Sequence, residues 1–262
     1  MRQDGEPLAR GYAVTHPPGT VVLPQPPGWH QLLLATSGVL TVEAGAGTWV
    51  VPPQRAVWVA DGVPHRLVMT DRVRVRALYL DSTVDVPAGL ATGCRAVNVP
   101  PLLRELVVHA VRHAPLWADR PADARLVGVV LDQLESLPAA PLQLPWPTDP
   151  QAAAVADALA ADPGGGEPVD RLAREAGAGR RTLERRFRAE TGMSVGEWRQ
   201  RARLVLALRL LAAGEPVSRV AVSAGYSTPS AFGAMFVRQM GITPGRYFGA
   251  QNAAGLASNA NA

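Results

Sequence analysis

The strongest constraint in this chain is a pattern that occurs twice, once with a basic face and once without. Residues 177–198 read Gly-Ala-Gly-Arg-Arg-Thr-Leu-Glu-Arg-Arg-Phe-Arg-Ala-Glu-Thr-Gly-Met-Ser-Val-Gly-Glu-Trp. Leu183 and Phe187 are four apart and share one helix face. At about 100° per residue, Arg181, Glu184, Arg185 and Arg188 fall opposite them, with Arg180 and Thr182 beside them in the first turn. An apolar ridge inward and arginines outward suit a major groove; a solvated charged face is the ordinary alternative. The repeat favours the groove. Leu172-Ala173 and Ala176-Gly177 recur 48 positions on as Val220-Ala221 and Ala224-Gly225, and Leu183, Phe187, Gly192 and Trp198 recur 49 positions on as Phe232, Phe236, Gly241 and Tyr247. The one-residue offset falls in the turn between two helices. Ala173 and Ala221 are small enough for helices to cross there, and Gly177 and Gly225 suit the left-handed backbone of a helix C-terminus.

Between the copies, Ser194-Val195-Gly196-Glu197 has capping-box spacing. Trp198, Ala202, Val205, Leu206, Leu208, Leu211 and Ala212 then supply a broad apolar face, Gly214 ends the helix and Pro216 opens the next. About 19 residues at 1.5 Å each give ~28 Å. That is near one DNA turn of ~34 Å, so recognition helices at its two ends could enter successive grooves.

Ala224-Gly225-Tyr226-Ser227, Ser230-Ala231-Phe232 and the run Gly241-Ile242-Thr243-Pro244-Gly245-Arg246-Tyr247-Phe248 resemble the AraC/XylS-type transcription regulators over about the last hundred residues. The resemblance implies a DNA-binding domain of two helix-turn-helix units joined by a linker helix, reading adjacent major grooves on one side of double-stranded DNA.

Charge agrees. Residues 164–250 hold 14 Arg against 7 Asp and Glu, a net of +7, whereas residues 1–163 are net −3. A basic module on a mildly acidic partner fits nucleic-acid binding by one part only. All 26 basic residues are arginine, and this bias carries no functional weight. Cys94 is the only cysteine, which excludes an intrachain disulfide and agrees with a reducing compartment; a redox-sensing thiol is the alternative. The N-terminus lacks an apolar signal core, and no stretch approaches the ~20 apolar residues of a membrane span. The expectation is a cytoplasmic protein without membrane contact.

Residues 1–27 read as a Pro- and Gly-rich lead-in with one edge strand near Thr20–Leu23. Short β-like runs follow at His30–Ala35, Val39–Glu43, Thr48–Val51, Ala56–Ala60, His65–Met69 and Val73–Leu80, with Ser37-Gly38 as a hairpin turn and Pro52-Pro53, Asp61-Gly62 and Thr70-Asp71 as punctuation. So many short strands in about 75 residues mean a small barrel or jelly roll. His30-Gln31-Leu32, Ser37 to Leu40, Gly47 to Pro53, Arg55 to Trp58, His65 and Leu78-Tyr79-Leu80 resemble the cupin sensor domain of one branch of the same regulators. Cupins often hold a metal with a histidine pair on the first strands. Here Gln25 to Pro27 stand at those positions, so the expectation is no metal and no cofactor. His30 and His65 with Gln25 or Gln31 are the alternative ligand set, although a metal site normally wants three or more protein ligands. His30, Trp58 and His65 are the candidate residues for binding a small-molecule effector; barrel core is the plainer role for Trp58 and for Trp49.

From Pro100 the period is helical. Leu102, Leu103, Leu106, Val107 and Ala110 form one stripe and Leu126, Val129, Val130 and Leu134 another. They make an antiparallel hairpin that either packs on the barrel or, as the resemblance implies, forms a dimer surface. His109 and His113, at i and i+4, lie on an exposed face or hold a metal. The resulting order is α+β and multidomain: a cupin-like barrel at 1–95, the hairpin at 96–137, a Pro-rich linker at 138–150, the double helix-turn-helix at 151–250 and a disordered tail at 251–262.

The two recognition helices are not equal. Arg181, Glu184, Arg185 and Arg188 become Ser230, Gly233, Ala234 and Val237 in the second copy. Arginine makes a bidentate contact to guanine and glutamate accepts from cytosine; glycine does neither, and alanine touches only a thymine methyl. The first unit is therefore expected to dominate base readout. Ser227, Thr228 and Ser230 are expected to bind phosphate, with shape readout there. Glu184 has a second possible role, pairing with Arg188. Gly179 takes the place of a capping Ser and costs a phosphate-binding hydroxyl. The expected function is a sequence-specific, effector-responsive transcription regulator that is not an enzyme, a homodimer on DNA, meeting RNA polymerase if it activates. The competing readings are a metal-dependent cupin enzyme with a DNA-binding tail, and a DNA-binding protein whose barrel only dimerises.

Overall fold

A computed structural model describes residues 7–22, 27–44, 47–53, 55–136 and 143–247. The chain divides into two compact units, the first from residues 1–45 and 49–141, the second from residues 46–48 and from residue 142 onward. The C-terminal tail, Phe248, Gln25 and the first part of the proline-rich segment lie outside the described residues.

The first unit carries β1 (Ala9–His16), β2 (Val21–Val22), β3 (Trp29–Ser37), β4 (Leu40–Ala44), β5 (Gly47–Val51), β6 (Arg55–Val59), β7 (His65–Val68), β8 (Val73–Asp81) and β9 (Cys94–Asn98). One sheet has the order β1-β8-β3-β6-β9; in a second, β4 lies between β5 and β7, and β2 borders β7. Among the described residues the two sheets share no strand, so of the two expected forms, barrel or jelly roll, they do not make a closed barrel. The edge strand β1 is covered by a helix instead. A Cβ at Gly11 would stand 2.6 Å from the Val111 Cα, so glycine there lets the helix lie on the strand.

Three readings are corrected. The supposed lead-in contains β1, paired along its length with β8 from Ala9–Leu80 to His16–Val73. Ala-Arg-Gly-Tyr-Ala-Val-Thr-His has no regular alternation, and it is long-range pairing that holds it. The Ser37-Gly38 turn makes no hairpin: β3 and β4 belong to different sheets, and the left-handed Gly38 (φ +73°) passes the chain between them. Strand β9, paired with β6, was unforeseen.

Alternation along β3 sends Leu32 and Leu34 to one face and Gln31 and Leu33 to the other. The first face joins Trp58, Leu78 and Leu80 in a core closed by α1 (Pro101–His113) and α2 (Pro121–Ser136) through Leu103, Val107, Val130 and Leu134. Thus both helices pack on the sheet. Leu102 and Val129, assigned to the buried stripes, are 57% and 41% exposed. Leu103, Val107, Ala110 and Val111 form the buried i, i+4, i+7, i+8 face, and Leu102 sits about 100° off it.

The second unit opens with β10 (Gln143–Pro145) and α3 (Pro150–Ala161). It continues through α4 (Val169–Glu175), α5 (Arg180–Thr191), α6 (Val195–Ala212), α7 (Val217–Ser223) and α8 (Pro229–Met240). Residues 143–149, read as linker, belong to this unit. Leu144 and Trp146 pack into its core, and the Pro145 carbonyl accepts from Trp198 Nε1 at 2.7 Å. Asp149 caps α3, accepting from the Gln151 and Ala152 amides at 3.2 and 3.0 Å. The capping box of α6 forms as its spacing predicts: the Glu197 amide donates to Ser194 Oγ at 3.2 Å, and the Ser194 amide to Glu197 Oε2 at 2.7 Å.

Three carboxylates here sit below their usual range. For Asp149 the main cause is the bond from the Ala152 amide; for Glu190 it is the Asp149 amide; for Glu197 it is the Ser194 amide. A depressed folded value means that the unfolded chain takes up protons first. Their stabilisation is therefore complete above the ordinary carboxylate pKa of about 4 and is lost as pH falls through the folded values. Thermal melts from pH 6 to pH 3 should show the second unit weakening on the acid side, and Glu190→Gln should flatten that limb.

Candidate nucleic-acid interface

The helices reproduce the sequence repeat. Both ends of α7 lie 48 residues after those of α4, and both ends of α8 lie 49 after those of α5. The extra residue is in the second turn, as expected. Each turn starts alike: Gly177 (φ +71°) donates to the Arg174 carbonyl at 3.0 Å, and Gly225 (φ +75°) to the Val222 carbonyl at 2.9 Å. Each then closes on the first helix, Ala178 on Ala173 at 2.8 Å and Tyr226 on Ala221 at 2.9 Å. Left-handed Gly192 and Gly241 end α5 and α8.

Buried Leu183 and Phe187 anchor α5, with Phe187 edge-on to Trp198 at 5.9 Å. That fixes which residues point away. Arg181 and Arg185 are exposed and have no hydrogen-bond or ion-pair partner among the described residues. Arg188 is also exposed and held only by Glu197 at 3.9 Å. These three, at i, i+4 and i+7, span ~10 Å of one face. Arg180 pairs with Asp170 of α4 at 2.8 Å, both more than half exposed, a contact of little energy. Thr182 is half-buried.

Glu184 departs from its expected pairing with Arg188. It is half-buried, and its Oε2 accepts from the Val195 amide at 3.2 Å, so its carboxylate serves the first turn of α6 rather than Arg188. An orphan helix N–H outcompetes a solvated arginine for the nearer carboxylate. Arg186, unassigned from sequence, points inward to Asp149 at 2.9 Å and Gln151 at 2.7 Å, tying α5 to α3. Gly179 is the N-cap of α5 and brings no side-chain cap.

On α8, buried Phe232, Met235, Phe236 and Met240 face the core. Ser227, Ser230, Ala234 and Val237 are exposed and Gly233 is half-buried. Thr228 caps the helix, its Oγ1 accepting from the Ala231 amide at 3.2 Å, which leaves its hydroxyl proton to donate.

In the first unit, two of the three candidate effector residues, His30 and Trp58, come together, and His65 lies apart. His30 shares the helix-packed face of β3 with Leu32. It stacks on Trp58 (5.4 Å, 23°), and its Nδ1 accepts from the Asp61 amide at 3.0 Å. Burial lowers its pKa, partly offset by Asp61 and Asp81. Trp58 is fully buried core, its indole N–H bonded to the Leu90 carbonyl at 2.7 Å. His65 lies on the other side of that sheet, its Nε2 3.2 Å from Gln31 Oε1 and its Nδ1 2.8 Å from the Val63 carbonyl. Since Gln31 and His30 point to opposite faces, His30 and His65 cannot share one ion. Adding zinc or iron(II) should therefore leave the melting temperature unchanged; a rise abolished by His65→Ala would overturn this. His109 and His113 stack at 4.0 Å, with His113 Nδ1 2.9 Å from its own helix at the His109 carbonyl. Burial pushes the Cys94 thiol up to about 11, so it stays protonated near neutrality and is a poor redox nucleophile.

An exposed basic helix, presented by a glycine-turned partner helix, defines a helix-turn-helix DNA-binding protein. Residues 172–250 match the model of a helix-turn-helix domain. Over 233 residues the chain is 34% identical to the HTH-type transcriptional regulator NimR of Escherichia coli K12, covering 87% of this chain and 84% of that protein. It is also 32% identical over 170 residues to a Streptomyces antibioticus protein described as an AraC-like transcription regulator, 64% of this chain and 56% of that one. A solved structure of the DNA-binding domain of AdpA with target DNA aligns with 41% of this chain and 96% of that chain, at 37% identity and a TM-score of 0.37. The chain belongs to the AraC/XylS family of transcription regulators and is a DNA-binding transcription regulator. Among the described residues, no helix is long and apolar enough to cross a membrane.

Proposed function

We propose that this regulator carries two helix-turn-helix units, α4–α5 and α7–α8, and that the first supplies most of the base readout. The observation that carries this is the contrast between the outward faces. Arg181 and Arg185 stand exposed and unpartnered on α5, whereas the same positions of α8 hold Ser230 and Ala234. A free guanidinium makes a bidentate contact to guanine; a serine or an alanine at the same position cannot. The second unit takes phosphate through Ser227, Thr228, Ser230 and the α8 N-terminus, adding affinity and shape readout.

The first unit is read as a cupin-like sensor for a small-molecule effector. Of the candidate effector residues His65, beside Gln31, is the better supported, because the surface of Trp58 is spent in the core. A homodimer through the hairpin is supported by exposed Leu102 and Val129 on its outer surface; RNA polymerase is the partner if the protein activates. Selection of bound sites from random DNA by the full chain tests the readout. A motif strong over one groove and weak one turn away supports it, and equal information in both grooves sinks it.

A further inference from the structure

The long helix α6 (Val195–Ala212) joins the two helix pairs and packs on α7 of the second. A separate contact ties the two pairs as well. The loop Pro163-Gly164-Gly165-Gly166 follows α3, and α3 is packed into the core of the first pair through Val155, Ala156 and Leu159. That loop presses on the turn of the second pair. A Cβ on Gly164 would stand 2.1 Å from the Ser223 carbonyl oxygen, and one on Gly225 would stand 2.3 Å from the Gly164 oxygen. Only two glycines allow the backbones to come this close.

Arg203 of α6 locks the contact. Its Nε donates to the Pro163 carbonyl at 2.9 Å and its NH2 to the Gly165 carbonyl at 3.2 Å. The same guanidinium lies 5.9 Å from the Tyr226 ring, in the turn between α7 and α8, and the Tyr226 hydroxyl bonds with Gln200, one turn before Arg203 on α6. One planar fork thus grips the loop of the first pair and faces the turn of the second. A lysine keeps the charge and loses the two-pronged geometry.

We propose that Arg203, with the Gly164–Gly225 backbone contact, is a positioning residue that sets where the second helix pair meets DNA relative to the first. This rests on the reading that both pairs contact DNA. The pitch between the grooves they enter is then fixed by this clamp and not by α6 alone.

The test uses the full chain and a duplex carrying its selected site. Hydroxyl-radical footprints and the salt dependence of binding are measured for wild type, Arg203→Lys and Gly164→Ala. Wild type should protect two windows one helical turn apart. Both variants should keep the proximal window and its base preferences, lose the distal window, and show a shallower salt slope because fewer phosphates are neutralised. A general loss of fold weakens both windows together and cannot mimic this. Arg203→Lys adds no Cβ clash and so keeps the test valid where Gly164→Ala fails to fold. Two intact windows in Arg203→Lys, or both weakened equally, overturn the clamp alone. A wild type with one window overturns the two-pair reading and the clamp with it.

Discussion

Trp198→Ala is expected to cost ~3–5 kcal/mol, the range for truncating a buried aromatic, measured as a lower denaturant midpoint of the second unit. The residue is fully buried in the core shared by α3, α5 and α6. Its ring meets Phe187 edge-on at 5.9 Å and Trp146 at 5.3 Å, contacts that add to burial itself. Its N–H satisfies the Pro145 carbonyl at 2.7 Å. Alanine would remove both packing and donor, leaving a cavity under α5 and an orphan carbonyl in β10. Trp198→Phe separates the two: it keeps most of the volume and should cost far less, about the ~1–3 kcal/mol of an unmet buried polar group. Equal losses for the two variants would show that the hydrogen bond, not the ring, holds the site.

Arg185→Ala is expected to weaken the cognate site by ~1–3 kcal/mol and to relax preference at a single base pair, read by competition against site variants. Arg185 lies at the middle of the free face of α5, has no partner to lose, and so can change little in stability. Arg180→Ala should do less to base preference, because that side chain is held by Asp170. The reciprocal variant Ala234→Arg should create a new preference one turn away. If Ala234→Arg alone altered site choice and Arg185→Ala did not, the order of the two helices would be reversed.

What the sequence disclosed well was local and periodic. The 48/49 offset, the capping box at Ser194 and Glu197, the left-handed Gly177 and Gly225, and the inward Leu183 and Phe187 follow from helix geometry, where three or four residues decide the outcome. What it hid was long-range. Strand β1 has no alternation of its own and exists through its pairing with β8. The parity that separates His30 from His65 depends on which sheet each strand joins, and Ser37-Gly38 looks the same in a hairpin as in a passage between sheets. Glu184 shows the same limit at the site. It sits half-buried at the side of the ridge, and the amide it serves belongs to another helix. Arg203 gave no local signal, because its partners lie about 40 residues before it in the chain.

The diverged second copy also leaves room for new specificity. Its core is intact in Phe232, Phe236 and Tyr247, while its outer positions 230, 234 and 237 are exposed and position 233 is a glycine. At Gly233 an added Cβ meets nothing within 4 Å, and replacing a helical glycine gains up to ~1 kcal/mol of helix propensity. Residues able to hydrogen-bond bases could be installed there without disturbing the scaffold. On the proposed reading, in which the first pair supplies most base contacts, the recognised DNA sequence would then lengthen across a second groove.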